Sequence, residues 1–411
     1  MIKKWIIYLL AIVITLGNIF MIIKIKKHHK VDIHNIIFDQ ETKNYKRGTI
    51  PFTGQGKLKI EIWKMDVKDE GMTGPISILD NGKFLIPTST GEVHIGEISH
   101  EKFSSKKIYD FSKMKQSPND IFQIRDAKVL NNNIYLVTFF HDKKIDCYSL
   151  RMYGGDFLLK EKIDNLKLMW ESQPVCNTGI THTPGELGGK LIIVDNSKLL
   201  LAVGGIENAE LDVKKDMDYG KTIIFSVNHN NLISKKYFSV GHRNPSGLYL
   251  KQKSPLIAYE TEHGPMGGDE LNQLEFGKDY GWPFVSYGMD YDGTEVSKKK
   301  INGIIAPRYF SGDGYAEPLF TWIPDIGISS VVEIQNNKEF PNWNGDILVG
   351  SLSGSYESGY SIYRLHLNNR KINLMERINV GEKIRSLNID KEGAIIFKTD
   401  NQKIGKVSKA H

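Results

Sequence analysis

The chain has 411 residues, 40% hydrophobic and 25% charged, and its 54 basic against 48 acidic side chains leave a net charge of +6. Length alone allows either two or three average domains or one large β domain built from repeats. Nucleic-acid binding has no support, because no basic stripe is interleaved with aromatic residues.

In chain order, Met1-Ile2-Lys3-Lys4 lead into an apolar run from Trp5 to Ile23, and Lys24, Lys26, Lys27 and Lys30 follow. The run is long enough to cross a bilayer as a helix. No small-x-small cleavage site follows it, so the sequence predicts an uncleaved transmembrane anchor over residues 1–30 rather than a signal peptide. Lysines at both ends leave the orientation undecided. Residues 31–70 read as a polar, basic tether in which Leu58 to Trp63 alternates enough to be a strand.

Beyond residue 70 a unit recurs: a short apolar run, an Asn/Asp/Gly turn, and a second apolar run. Ile76 to Leu79 turns at Asp80-Asn81-Gly82 into Phe84 to Ile86, and Ala127 to Leu130 turns at Asn131-Asn132-Asn133 into Ile134 to Phe140. These patterns predict hairpins. The shape returns in Lys190 to Val194 with Leu199 to Val203, and in Leu248 to Leu250 with Ile257 to Tyr259. It appears again in Val331 to Ile334 with Ile347 to Val349, and in Ile384 to Ile389 with Ala394 to Phe397. Six strand-rich units of irregular spacing, with no convincing amphipathic helix after the anchor, predict an all-β six-bladed propeller over residues 71–411. Leu58 to Trp63 would close the ring by pairing with the C-terminal strands. A pair of β-sandwiches is the runner-up, though it does not require the repeated turn. Cys147 and Cys176 are too few for a zinc site alone. In an oxidising compartment they would close one disulfide, contributing about 3 to 4 kcal/mol, and otherwise they are two buried thiols.

Charge, glycine and aromatic residues concentrate between Val240 and Gly293. Gly241-His242-Arg243-Asn244-Pro245 and His263-Gly264-Pro265 each end on a proline that stiffens the backbone, while glycines allow close approach of a ligand. The density of polar groups points to a binding site.

The ordered runs Gly241 to Leu248, Glu262 to Glu270 and Asp279 to Pro283 resemble the glucose/sorbosone dehydrogenase family, in particular its bacterial aldose sugar dehydrogenases that use pyrroloquinoline quinone (PQQ). The resemblance implies a six-bladed propeller with the cofactor at one mouth. PQQ carries three carboxylates and an ortho-quinone, so it needs cations and amide donors at its rim. By resemblance Arg243 and Asn244 contact the quinone, and His263, Tyr291 and Trp322 fall on cofactor-pocket positions. As lone residues, His263 reads as a loop residue and the two aromatics as core. Lys383 and Arg385 stand where the family often has an Arg-x-Arg pair reaching PQQ carboxylates. Calcium is implied at Glu270 and the carbonyl of Tyr280, and the carbonyls of Gly264 and Pro265 match those touching the calcium held by PQQ. Asp269 reads as a second ligand or a turn cap.

One stretch departs from the family pattern. Where its dehydrogenases read His-x-Gly-Gly-Arg-Leu, with the histidine as general base, this chain reads Glu186-Leu187-Gly188-Gly189-Lys190-Leu191. Where a Gly-Asp pattern orients that histidine, the chain has Gly204-Gly205. A carboxylate of unperturbed pKa about 4.3 is a weaker base unless burial raises it. Glu186 is therefore the candidate base, with His182 as an alternative.

The expected activity is oxidation of an aldose at C1 to the lactone, with electrons passing to a respiratory acceptor and the propeller outside the cytoplasm, on the periplasmic side. The changed base and its partner equally suit a non-catalytic propeller that binds a sugar or a protein. A calcium-dependent lactonase is a third class, but no converging set of Asp, Asn and Glu is evident. Lys298-Lys299-Lys300 reads as a solvated loop and Ser355 to Tyr360 as a loop at the propeller mouth.

Overall fold

A computed structural model describes residues 36–52, 56–68, 74–114, 120–158, 161–176, 187–206, 212–294, 296, 300–301, 304–305, 314–353 and 360–410. Six antiparallel sheets of four or more strands stand around one axis, so the fold is the all-β six-bladed propeller. The first blade runs from Ser77–Ile78 to Lys102–Asp110, the second from Ile121–Leu130 to Lys162–Glu171, and the third from Gly188–Asp195 to Asn231–Val240. The fourth runs from Pro245–Lys253 to Phe320–Trp322, and the fifth from Ile328–Glu333 to Lys371–Asn379.

The sixth blade takes Ile384–Ile389, Ile395–Thr399 and Lys403–Lys409 from the C-terminus and Gly56–Lys64 from the N-terminal side. Ile62 lies opposite Gly405 and Ile60 opposite Val407, so the predicted closing strand is present and joins the two ends of the chain. Tyr45–Phe52 and Ile37–Glu41 extend the same sheet outward, so part of the segment read as a tether is strand. All six predicted hairpins form. In the second blade a short strand, Val175–Cys176, lies against Cys147–Leu158 and the two cysteines are joined by a disulfide. The anchor expected over residues 1–30 lies outside the described residues. Among those described, no helix is long and apolar enough to cross a membrane.

Six apolar clusters fill the spaces between neighbouring blades, one for each interface. Side chains alternate across a strand, so consecutive apolar residues serve two interfaces at once. Leu199 and Leu201 face the second blade while Leu200 faces the fourth. Burial on both faces is why these strands read as continuous apolar runs rather than alternating ones. The inner strands of all six blades line one axial cavity of about 470 Å³, bordered by Asp126, Lys128, Lys190, Ser246, Ser330 and Asn388 among others.

Candidate functional site

The turn 241–244 enters the inner strand of the fourth blade. Gly241 has φ +82°, and a Cβ there would meet the Asp279 carboxylate at 2.3 Å and the Gly281 nitrogen at 2.4 Å, so only glycine fits. Arg243 is buried behind this turn. Its backbone N–H donates to Glu262 Oε2 at 3.0 Å, and its Nη1 donates to the carbonyls of His263 at 3.2 Å and Gly264 at 3.0 Å. The guanidinium carbon also lies 5.3 Å from the ring centre of Trp282, a cation–π distance. Asn244 is buried beside it and its carbonyl accepts from the His263 N–H at 3.1 Å. The two motif runs are thus one structural unit: the arginine turn holds the His-Gly-Pro turn by three of that turn's backbone groups.

A cavity of about 10 Å³, the size of a single water or ion, sits between Arg243, Glu262, Gly264, Glu270, Tyr280 and Trp282. Glu262 and Glu270 face each other in register on adjacent strands. Burial raises the Glu270 pKa well above the carboxylate range, and the neighbouring Glu262 adds to the shift. Asn272 donates to Glu270 Oε2 at 3.2 Å. Beneath them, His242 is fully buried, stacks on Tyr280 at 4.9 Å and has Nδ1 3.0 Å from Glu260 Oε2. Burial works to lower the His242 pKa, but Glu260 and Glu262 outweigh it and push it up to about 10. Glu260 is pushed up to about 7 by burial.

Asp269 is a cap. Its carboxylate accepts from the backbone N–H groups of Gly264 at 3.2 Å, Ile326 at 3.0 Å and Ile328 at 2.9 Å. Burial acts to raise its pKa, but His263, whose Nδ1 lies 3.6 Å away, and these donors bring it below the usual value.

The other candidates are placed as follows. Pro265 is buried in the turn after Gly264. Tyr291 is 71% exposed, whereas Trp322 is 5% exposed and packs edge-on against Phe320 and Tyr363 in the core. Neither lines the small cavity. Arg385 makes a two-pronged ion pair with Asp400 at 2.6 and 2.8 Å, and the carbonyl of Lys383 accepts from the Asp400 N–H at 3.2 Å. Glu186 and His182 lie outside the described residues.

Sequence reasoning missed a carboxylate. The space beside Gly205 is filled by Asp212, whose Oδ2 would be 2.6 Å from any Cβ at 205. Asp212 accepts from the Ile206 N–H at 2.8 Å and from Trp282 Nε1 at 3.3 Å, so it also steadies the ring under Arg243. Gly204 N–H in turn donates to the Leu187 carbonyl at 3.0 Å, which brings this carboxylate next to the chain that follows residue 186. Two axial cations were also missed as a pair. Arg125 Nε donates to the Gly188 carbonyl at 3.1 Å, and Lys190 reaches the Arg125 carbonyl at 3.5 Å. Burial first, and Arg385 second, lower the Arg125 pKa to about 10, while burial and Arg125 lower that of Lys190 well below 10.5.

Comparison with known proteins agrees with this architecture. Aldose sugar dehydrogenase YliI of Escherichia coli is 26% identical over 253 residues, which are 58% of this chain and 62% of that protein. The chain therefore spans less than two thirds of that curated relative. The crystal structure of the soluble E. coli aldose sugar dehydrogenase in its apo form superposes with a TM-score of 0.66 at 20% identity, covering 85% of this chain and 99% of the other. The PQQ-bound aldose sugar dehydrogenase of Streptomyces coelicolor gives 0.58 at 14% identity, covering 85% and 98%. At such identities these two structures speak for the fold alone. The family model described as glucose / sorbosone dehydrogenase matches residues 75–408, and the chain belongs to that family.

Proposed function

We propose that the protein is a PQQ-dependent sugar dehydrogenase that oxidises the C1 hydroxyl of an aldose to a lactone and passes electrons to a respiratory acceptor. The observation that carries this reading is a concentration of buried cations beside the Arg243 turn. Burial first lowers the pKa of both Arg125 and Lys190, and the nearby Arg385 lowers Arg125 further while Arg125 and Arg385 lower Lys190. Gly188 links them to that turn: its carbonyl takes the Arg125 donor, and a Cβ on it would lie 3.4 Å from Pro245. Asp126 and Asp400 offset part of this charge, and a planar tricarboxylate is suited to neutralise the rest.

The residues present therefore suit PQQ, with Arg125, Lys190, Arg243, Lys383 and Arg385 as its cationic partners. When bound, PQQ supplies the quinone that accepts hydride from the sugar. Calcium suits the small cavity, where Glu262 and Glu270 stand in register and Tyr280 lines the wall; burial first, and Glu262 second, raise the Glu270 pKa, and a bound cation would displace its proton. The carbonyl of Gly264 is engaged by Arg243, so it is a poorer calcium ligand while that bond stands.

Glu186 is the proposed base. The replacement of both the base histidine and its aspartate partner favours a non-catalytic propeller; Asp212 supplies a carboxylate beside Gly205, while the base position is still Glu186. The apolar run Trp5 to Ile23 supports a membrane anchor, and the disulfide suits a propeller outside the cytoplasm.

The test is reconstitution of the full chain with PQQ and calcium, followed by dye reduction with a panel of aldoses, repeated for Glu186→Gln. The expected result is turnover that drops sharply in the variant. Absence of both PQQ binding and turnover would overturn the proposal, and tight PQQ binding without turnover would leave a degenerate, cofactor-binding member of the family.

A further inference from the structure

Behind the arginine turn, four polar atoms on one surface have no hydrogen bond among the described residues although their side chains are buried: His242 Nδ1, both carboxylate oxygens of Glu260 and Asn272 Oδ1. Glu260 and Asn272 are register partners on adjacent strands of the fourth blade, and Glu262 follows two residues later on the same face. Each of these atoms forfeits about 1–3 kcal/mol if nothing meets it.

We infer that His242, Glu260 and Glu262, with Asn272 beside them, bind one divalent first-row transition ion of the zinc or manganese type. His242 Nδ1 lies 3.0 Å from Glu260 Oε2 and 3.5 Å from Glu262 Oε2, yet the first contact lacks hydrogen-bond geometry. Ligands at about 2.0–2.2 Å from a shared ion stand about 3.0–3.5 Å from one another, so the spacing is that of neighbours on one coordination sphere. The ligand atoms of the three residues all lie within 4.8 Å of one another.

The tautomer agrees. His242 Nε2 lies 2.8 Å from Ser239 Oγ, which is itself 2.5 Å from Thr222 Oγ1. A metal at Nδ1 displaces the proton that Glu260 and Glu262 favour there, and the Nε2–H donated to Ser239 then serves as the outer support that ligating histidines normally have. An imidazole among the ligands selects against calcium, which takes oxygen, and in favour of a first-row ion. This site adjoins the calcium proposed at Glu270 and Tyr280 and shares Glu262 with its cavity, but its nitrogen ligand His242 and Glu260 do not line that cavity. Its role is to brace the turn carrying Arg243, since His242 precedes that residue and Glu262 accepts its backbone N–H.

The experiment uses the full chain, stripped with chelator and titrated with Zn²⁺ or Mn²⁺. Metal content is measured after gel filtration, and Co²⁺ substitution reports nitrogen ligation by its visible spectrum. The expected result is one bound ion per chain, a rise in melting temperature on loading, and a loss of affinity of at least about tenfold in Glu260→Leu and in Ser239→Ala. Glu270→Gln should leave zinc binding in place while weakening calcium. A folded wild-type chain that takes up no transition ion overturns the inference, as does unchanged zinc affinity in Glu260→Leu. Uptake of calcium alone, dependent on Glu270, overturns this inference while supporting the calcium reading above.

Discussion

The two faces of the fourth blade are built by the same strands and do opposite things. Toward the fifth blade, Tyr259 and Leu271 join Trp322, Ile328 and Val349 in an apolar cluster. Toward the third blade, the face begins with Ala258 opposite Leu274, packed on Phe238, and then turns polar with Glu260 opposite Asn272 and Glu262 opposite Glu270. One face supplies stability through apolar burial. The other gives stability away in order to hold ions and the arginine turn. Leu271→Ala should therefore cost about 2 to 5 kcal/mol in urea unfolding, the largest effect expected from either face, while leaving zinc affinity of the folded protein unchanged. A loss of metal affinity in Leu271→Ala would show that the two faces are not independent.

A double substitution on the polar face should do the reverse. In chelator, replacing the buried pair as a whole, Glu260→Leu together with His242→Leu, is expected to stabilise the protein by about 1 to 4 kcal/mol, read from the same unfolding curves. Destabilisation instead would mean that the pair is well compensated without metal. Next in size is Arg243→Lys. Lysine keeps the charge but loses the fork that serves the His263 and Gly264 carbonyls together, so PQQ affinity should fall by about 1.5 to 3 kcal/mol, or roughly tenfold to a hundredfold, in a binding titration. Equal affinity for PQQ would remove Arg243 from the cofactor site.

The apolar faces were legible in the sequence because every hairpin announces itself locally, by two apolar runs and a turn rich in Asn, Asp and Gly. Ring closure was legible because Leu58 to Trp63 alternates where nothing nearby does. The outer strands Ile37–Glu41 and Tyr45–Phe52 were not, since the edge strand is exposed and the strand inside it carries Lys46 and Arg47 between its buried residues, which masks the pattern. At the site, the motif runs gave Arg243, Asn244 and Glu270, but the pairing of His242 with Glu260 depends on how a turn folds over a ladder. The only local trace of it is the spacing of Glu260 and Glu262, which places both on one face. Asp212 was hidden for the same reason: a side chain seven residues downstream occupies the space that Gly205 leaves empty. Tyr291 stands exposed and Trp322 in the core, both apart from the small cavity, and neither position could be read from residue type alone.

The smallest effect expected concerns Lys190, the axial counterpart of the acidic face. Its amine is buried and, among the described residues, makes a long hydrogen bond to the Arg125 carbonyl, and its pKa is lowered well below 10.5, by burial first and by Arg125 second. Between that lowered value and 10.5 the unfolded chain binds a proton that the folded chain does not, so this group makes stability rise with pH across the window and contribute no further slope above it. Lys190→Met should flatten that slope in the cofactor-free protein, measured as unfolding free energy at a series of pH values. PQQ should flatten it as well, because a bound carboxylate lets the buried amine keep its proton. If PQQ binds but leaves the slope of the wild-type protein untouched, the cofactor does not reach the axial cations, and the polar face of the fourth blade must hold it without them.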